Sequence, residues 1–123
     1  MRRIGLAVLL ALGAGCTSKV TDDPVTAAGL FKSEDATIAP IRLEGGRCFS
    51  SDQSGGELEA RCFMRRDSLY MCPNAEQRKA MTRNVCVVWK LFDDRLEASH
   101  VEDIDDGTNF NEDFQPKPVL RRQ

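Results

Sequence analysis

Apolar and polar residues alternate along residues 57–65. Leu58, Ala60, Cys62 and Met64 fall on one side, with Glu57, Glu59, Arg61 and Arg65 on the other. A period of two is the signature of a half-buried strand. Arg66-Asp67-Ser68 supplies a turn and residues 69–72 return, so the pattern predicts a short hairpin. Residues 85–92 (VCVVWKLF) are β-branched and aromatic with no Gly or Pro, which suits a central strand. Upstream, residues 38–43 start the folded part, and Pro40 marks them as an edge or irregular strand. Gly45-Gly46 breaks that strand, residues 47–50 resume it, and residues 51–56 (SDQSGG) form a loop.

Residues 74–83 (NAEQRKAMTR) follow a different pattern, that of good helix formers. Pro73 suits a first helical position, Glu76 the first turn, and Lys79 and Arg83 the last turns. Ala75, Ala80 and Met81 make only a thin apolar stripe, so the helix is short and peripheral. Residues 93–100 fit one or two helical turns, and residues 107–123, with Pro116 and Pro118, read as coil. The expected architecture is α+β: a small, mostly antiparallel sheet of three or four strands with one short helix. The expected globular domain spans residues 38–104. An acidic, flexible tail at 105–123 is expected to be dispensable for folding.

The N-terminus changes the picture. Arg2 and Arg3 precede an apolar run at residues 4–15, and Cys16 follows Ala14 and Gly15. A bilayer span needs about 20 apolar residues, more than this run holds. Residues 1–16 (MRRIGLAVLLALGAGC) resemble the leader of bacterial lipoproteins. Gly13 stands where that leader usually has leucine, and Leu12 lies one step back. The resemblance implies removal of residues 1–15, acylation of Cys16 with diacylglycerol and a fatty acid such as palmitate, and a lipidated tether at 16–37. Thr17, in place of aspartate, implies the outer membrane of a Gram-negative envelope. Gly13 and Gly15 also admit an ordinary secretory cut.

Once Cys16 is set aside, Cys48, Cys62, Cys72 and Cys86 remain. An even set in an exported chain reads as disulfides, and a core this small needs such staples. Four cysteines allow three pairings. A hairpin centred on Asp67 sets Cys62 opposite Cys72, which favours Cys62–Cys72 with Cys48–Cys86. Pairing Cys72 with Cys86 has to close a helix about 15 Å long to a Cα separation within about 7 Å. The sequential pairing, Cys48–Cys62 with Cys72–Cys86, stands close behind, because the Gly55-Gly56 loop also suits a hairpin.

The 123-residue chain has a formal net charge of −2, and losing Arg2 and Arg3 takes it to −4, which does not suit a nucleic-acid binder. Nine basic and six acidic residues lie between positions 42 and 90; nine acidic residues and only Arg95 lie between 93 and 113. The acidic stretch is a solvated face, or it folds back on the basic core or docks a basic partner. No CxxC supports zinc. The run 102–107 has a calcium loop's glycine without its spacing, since Ile104 falls at position 3 and Asp113 at position 12. His100 is the single histidine, and no G-x-S-x-G surrounds a serine. Trp89, Phe92, Phe63 and Tyr70 read as core. No catalytic residue, metal ligand or cofactor is assigned, and binding residues stay open. The sequence points to a non-enzymatic, membrane-anchored envelope module that binds a protein partner or serves an assembly. The alternative is an inhibitor of a hydrolase such as lysozyme, using an Arg65–Arg66 hairpin tip or the acidic tail.

Overall fold

The computed structural model describes residues 21–51, 54–110 and 117–123. Its strands are β1 (Gly29–Lys32), β2 (Ile41–Glu44), β3 (Arg47–Ser51), β4 (Glu57–Arg65), β5 (Ser68–Cys72), β6 (Val85–Leu91), β7 (Arg95–Asp103) and β8 (Val119–Arg122). A helix, α1 (Ala75–Lys79), lies between β5 and β6. The strands form a closed antiparallel barrel in sequence order, and β8 completes the ring by pairing with both β7 and β1. The expected α+β sheet is therefore corrected to an all-β barrel.

Three segments account for the difference. Residues 95–103, expected to start with helical turns, form β7. Residues 29–32, assigned to the tether, form β1, and residues 119–122, assigned to the tail, form β8. Phe31 and Leu120 are both fully buried. The domain thus extends past 38 and past 104, and the part of the tail that forms β8 belongs to the fold. Residues 1–20, including Cys16 and the leader, lie outside the described residues.

The turns follow from local chemistry. Glu44 pairs with Arg47, so Gly45 and Gly46 alone make the β2–β3 loop, at φ +61° and +83°. Positive φ at both positions is the two-residue hairpin turn that matches strand twist. Arg65 pairs with Ser68, and Arg66 takes φ +58° in the second tight turn. Helix α1 is shorter than the expected 74–83. Asn74 is its N-cap and forms a reciprocal capping box with Gln77, so Pro73 precedes the cap and is not the first helical residue.

Inward positions fill one part of the barrel: Phe31, Ile41, Leu43, Cys48, Leu69, Trp89, Leu96, Ala98 and Leu120 form one buried cluster. Val25 joins it from the N-terminal segment, where Asp23 exchanges both backbone hydrogen bonds with Met64 at 2.9 and 2.8 Å. Phe63, Tyr70, Val88, Cys72 and Cys86 form a second cluster on the outer face of β4–β6.

The disulfides are Cys48–Cys62 and Cys72–Cys86, with Cα separations of 6.3 and 4.2 Å. The favoured pairing is corrected to the sequential one. The two-residue turn sets Cys62 opposite Met71 and Cys72 opposite Arg61, so Cys62 and Cys72 point to opposite faces. Cys48 pairs with Ala60, which puts Cys62 on its own face two residues along. The Met71–Val87 pair extends to Cys72 beside Cys86, and the α1 connection arches over the two strand ends rather than separating them.

Candidate functional site

The barrel interior is not filled at the end beneath α1. A cleft of about 540 Å³ opens there. The strands contribute the inward-facing Ser50, Leu58, Ala60, Met71, Val85 and Val87, and the connection over them contributes Pro73, Gln77, Ala80 and Met81. A smaller hollow of about 230 Å³ shares Ser50, Met71 and Val87 and reaches Ile41 and Trp89. Leu58 and Met81 remain 42 % and 37 % exposed at the opening. The inward face of β4 thus carries a large apolar side chain that the fold itself does not bury.

Strand lengths explain the opening. β4 pairs with β3 through residues 57–60 and with β5 through residues 61–65. β5 ends at Cys72, opposite Arg61, so residues 57–60 have no strand neighbour on that side. Helix α1 occupies part of the space, and the Asn74 side-chain amide donates to the Glu59 carbonyl at 2.8 Å.

The outer rim is charged but internally neutralised. Arg42 donates twice to Glu57, both at 2.8 Å, and Arg47 donates twice to Glu59, at 2.9 and 2.7 Å. Glu44 also pairs with Arg42. Both guanidiniums lie over the Phe49 ring, 4.2 and 5.2 Å from its centre. Hydrogen bonds from these arginines hold Glu57 and Glu59 below the ordinary carboxylate value. Glu59, the one carboxylate lining the cleft among the described residues, is thereby committed to Arg47 and faces no partner acid or histidine among them.

The residues singled out from sequence are dispersed. Arg65 and Arg66 do not act together: Arg65 packs over Phe63 and Tyr70, 5.0 Å from each ring centre, and donates to Asp22 at 2.6 Å. Of the two, Arg66 is the exposed one at the tip. Trp89 lies inside the barrel, while Phe63 and Tyr70 lie outside it. Phe92 is not core: it is 37 % exposed and stacked by Arg95 at 4.1 Å. The acidic turn does meet basic residues of α1 and of the connection after it. Arg83 reaches Asp103 at 3.4 Å and Asp106 at 3.9 Å, and Arg78 reaches Asp105 at 3.6 Å. Among the described residues no group of three metal-ligand side chains converges.

One arrangement was not visible in the sequence. Val88 pairs with His100 and Trp89 with Ala98, so Ser99 is an extra residue, a β-bulge. Ser99 Oγ lies 2.8 Å from His100 Nδ1, and His100 Nε2 lies 3.0 Å from Glu102 Oε1. The Tyr70 hydroxyl donates to the same Glu102 oxygen at 3.3 Å. This row braces Tyr70 over the outer cluster, and none of its members lines the cleft. No protein-family model, curated protein or solved structure matches this chain. The fold and site define a small, disulfide-stapled closed barrel with an apolar cleft at one end.

Proposed function

We propose that the chain is a non-enzymatic, lipid-anchored module of the bacterial envelope that binds a protein partner through the open end of its barrel. The observation that carries the reading is the cleft, where Leu58 and Met81 stand exposed on a mostly apolar lining. Apolar hollows of a few hundred Å³ with few polar groups are the usual form of a binding site. Large exposed apolar side chains gathered at one place mark interaction surfaces. Anchoring rests on the leader-like residues 1–16 and on Cys16, with the outer membrane as the proposed location. Acyl anchoring of more than one chain is stable where a single chain is marginal.

The test is capture from an envelope extract with the full lipidated chain, beside Leu58→Arg and Met81→Asp variants whose folding is checked by circular dichroism. A specific partner held by wild type and lost from both variants supports the reading. The same proteins on wild type and variants would defeat it. The hydrolase-inhibitor alternative keeps one support, the exposed Arg66 on a tight turn. Inhibition of lysozyme that disappears in Arg66→Ala would favour it.

A further inference from the structure

We infer that the partner binds by adding an extended segment as a strand along the free edge of β4, with an aliphatic side chain seated in the cleft. This deepens the binding-module reading and rests on it. The Glu59 carbonyl accepts from Asn74, so it points away from β3 and toward the side where β5 is missing. In an antiparallel strand the N–H and C=O of one residue point to the same side, and alternate residues face alternate neighbours. Glu57 and Glu59 therefore present backbone groups to the cleft side, while Leu58 and Ala60 face β3 and pair with Ser50 and Cys48. Asn74 takes one of these groups, the Glu59 carbonyl. The Glu57 N–H and C=O and the Glu59 N–H remain as a short template.

The molecule shows how such an overhang is satisfied. At its other end β4 outruns β3, and there Asp23 of the N-terminal segment exchanges both backbone hydrogen bonds with Met64. An incoming strand does the same at Glu57 and accepts from the Glu59 N–H, the Glu59 carbonyl being held by Asn74. Its residue opposite Leu58 points inward, because directly paired residues share a face, and it meets Leu58, Met81 and Val87 in the cleft. Its neighbours point outward, opposite Glu57 and Glu59; Arg42 and Arg47 already neutralise those two carboxylates, and the neighbour opposite Glu59 lies diagonal to Arg61. That guanidinium is exposed, lies 5.7 Å from the Phe63 ring centre, and has no ion pair among the described residues. The segment that fits is thus short and extended, with one aliphatic residue flanked by an acidic one. Main-chain bonds supply affinity and the alternate side chains supply selectivity.

The experiment pans a phage library of random nonapeptides on the full chain held in detergent micelles. Enriched peptides are then measured for binding and for amide hydrogen exchange. Strand addition requires enriched sequences with an aliphatic residue next to an acidic one, and at least tenfold slower exchange at Glu57 and Glu59. Binding must fall at least tenfold in Leu58→Arg, and also in Glu57→Pro, which removes the edge donor at the first residue of a strand. No enrichment, protection confined to other amides, or unchanged binding in both variants would overturn it. If envelope capture still depends on Leu58 and Met81 while these results fail, the site reading stands and the strand mode alone is lost. If capture is also indifferent to both residues, both readings fall.

Discussion

Removing the last strand should unfold this protein, although its sequence looks like a dispensable tail. Leu120 is 0 % exposed at the centre of β8, and truncating such a leucine to alanine costs about 2–5 kcal/mol. β8 also pairs with β7 through residues 119–121 and with β1 through Arg121 and Arg122. Arg122 N–H donates to Asp94 at 2.8 Å and Gln123 N–H to Leu30 at 2.9 Å. Each such bond is worth on the order of 1 kcal/mol net. The Arg122 side chain adds bonds to the Asp93 and Ala28 carbonyls and lies 4.9 Å from the centre of the Phe31 ring. Together these losses approach the roughly 5–15 kcal/mol total of an ordinary domain. Deletion of residues 119–123 should therefore abolish cooperative melting even with both disulfides intact. Leu120→Ala should keep a cooperative transition. A loss near 3 kcal/mol, at about 4–8 °C per kcal/mol in a domain of this size, puts its midpoint roughly 12–24 °C lower. Thermal melts followed by circular dichroism decide the matter. If both variants melt cooperatively within about 5 °C of wild type, a change of about 1 kcal/mol, β8 does not close the barrel in solution.

Non-reducing peptide mapping after trypsin should recover Cys48 linked to Cys62 and Cys72 linked to Cys86, with no free thiol among the four; a Cys62–Cys72 peptide would contradict the register. Burial first, and then the Glu102 carboxylate, raise the Tyr70 hydroxyl above its ordinary value of 10.0. A raised value favours the neutral form in the fold, so its contribution is complete below the unfolded value and is lost as pH rises through the folded one. Tyr70→Phe should therefore lose less stability than wild type in urea melts between about pH 9 and 11, and parallel losses would refute this. Metabolic labelling with a fatty acid should mark wild type and not Cys16→Ser, and unlabelled wild type that washes off membranes in salt would remove the anchor. Finally, a fluorophore on Arg66→Cys should be quenched by spin-labelled lipid headgroups more than one on Met81→Cys, because the chain enters the barrel at the end of β4 near Arg66; equal quenching would oppose that orientation.

The sequence shows an element where a period of two runs long enough. Residues 57–65 and 69–72 read as a hairpin and residues 85–92 as a strand, and the structure has strands at 57–65, 68–72 and 85–91. β1 and β8 are four residues each, with one buried residue apiece, so no period can be measured in them. β7 hides for another reason. Leu96 and Ala98 pair inward before the bulge and Val101 after it, so Ser99 shifts the alternation by one and leaves a spacing that mimics a helix. The disulfide assignment turned on a single residue. Centring the hairpin on Asp67 rather than between Arg66 and Asp67 moves Cys72 from one face to the other. The cleft was not legible at all. Ser50, Leu58, Met71 and Val87 come from four consecutive strands, and the register of three successive pairings sets them on one face.

The unequal lengths of neighbouring strands then account for both ends of the molecule. β4 overhangs β5 at Glu57 and overhangs β3 at Met64, and the backbone groups along each overhanging edge need a partner or water. At Met64 the chain solves this with Asp23, which also sets Val25 into the core. At the Glu57 end it offers one asparagine amide, to the Glu59 carbonyl, and a helix too short to cover Leu58. The sealed overhang lies on the side from which the chain leads back toward Cys16. The open overhang lies about 24 Å away, at roughly 3.4 Å per residue of strand. On the anchored reading, residues 16–23 reach at most roughly 25 Å when fully extended, which holds the sealed end near the membrane. On that reading the cleft lies at the end farther from the anchor.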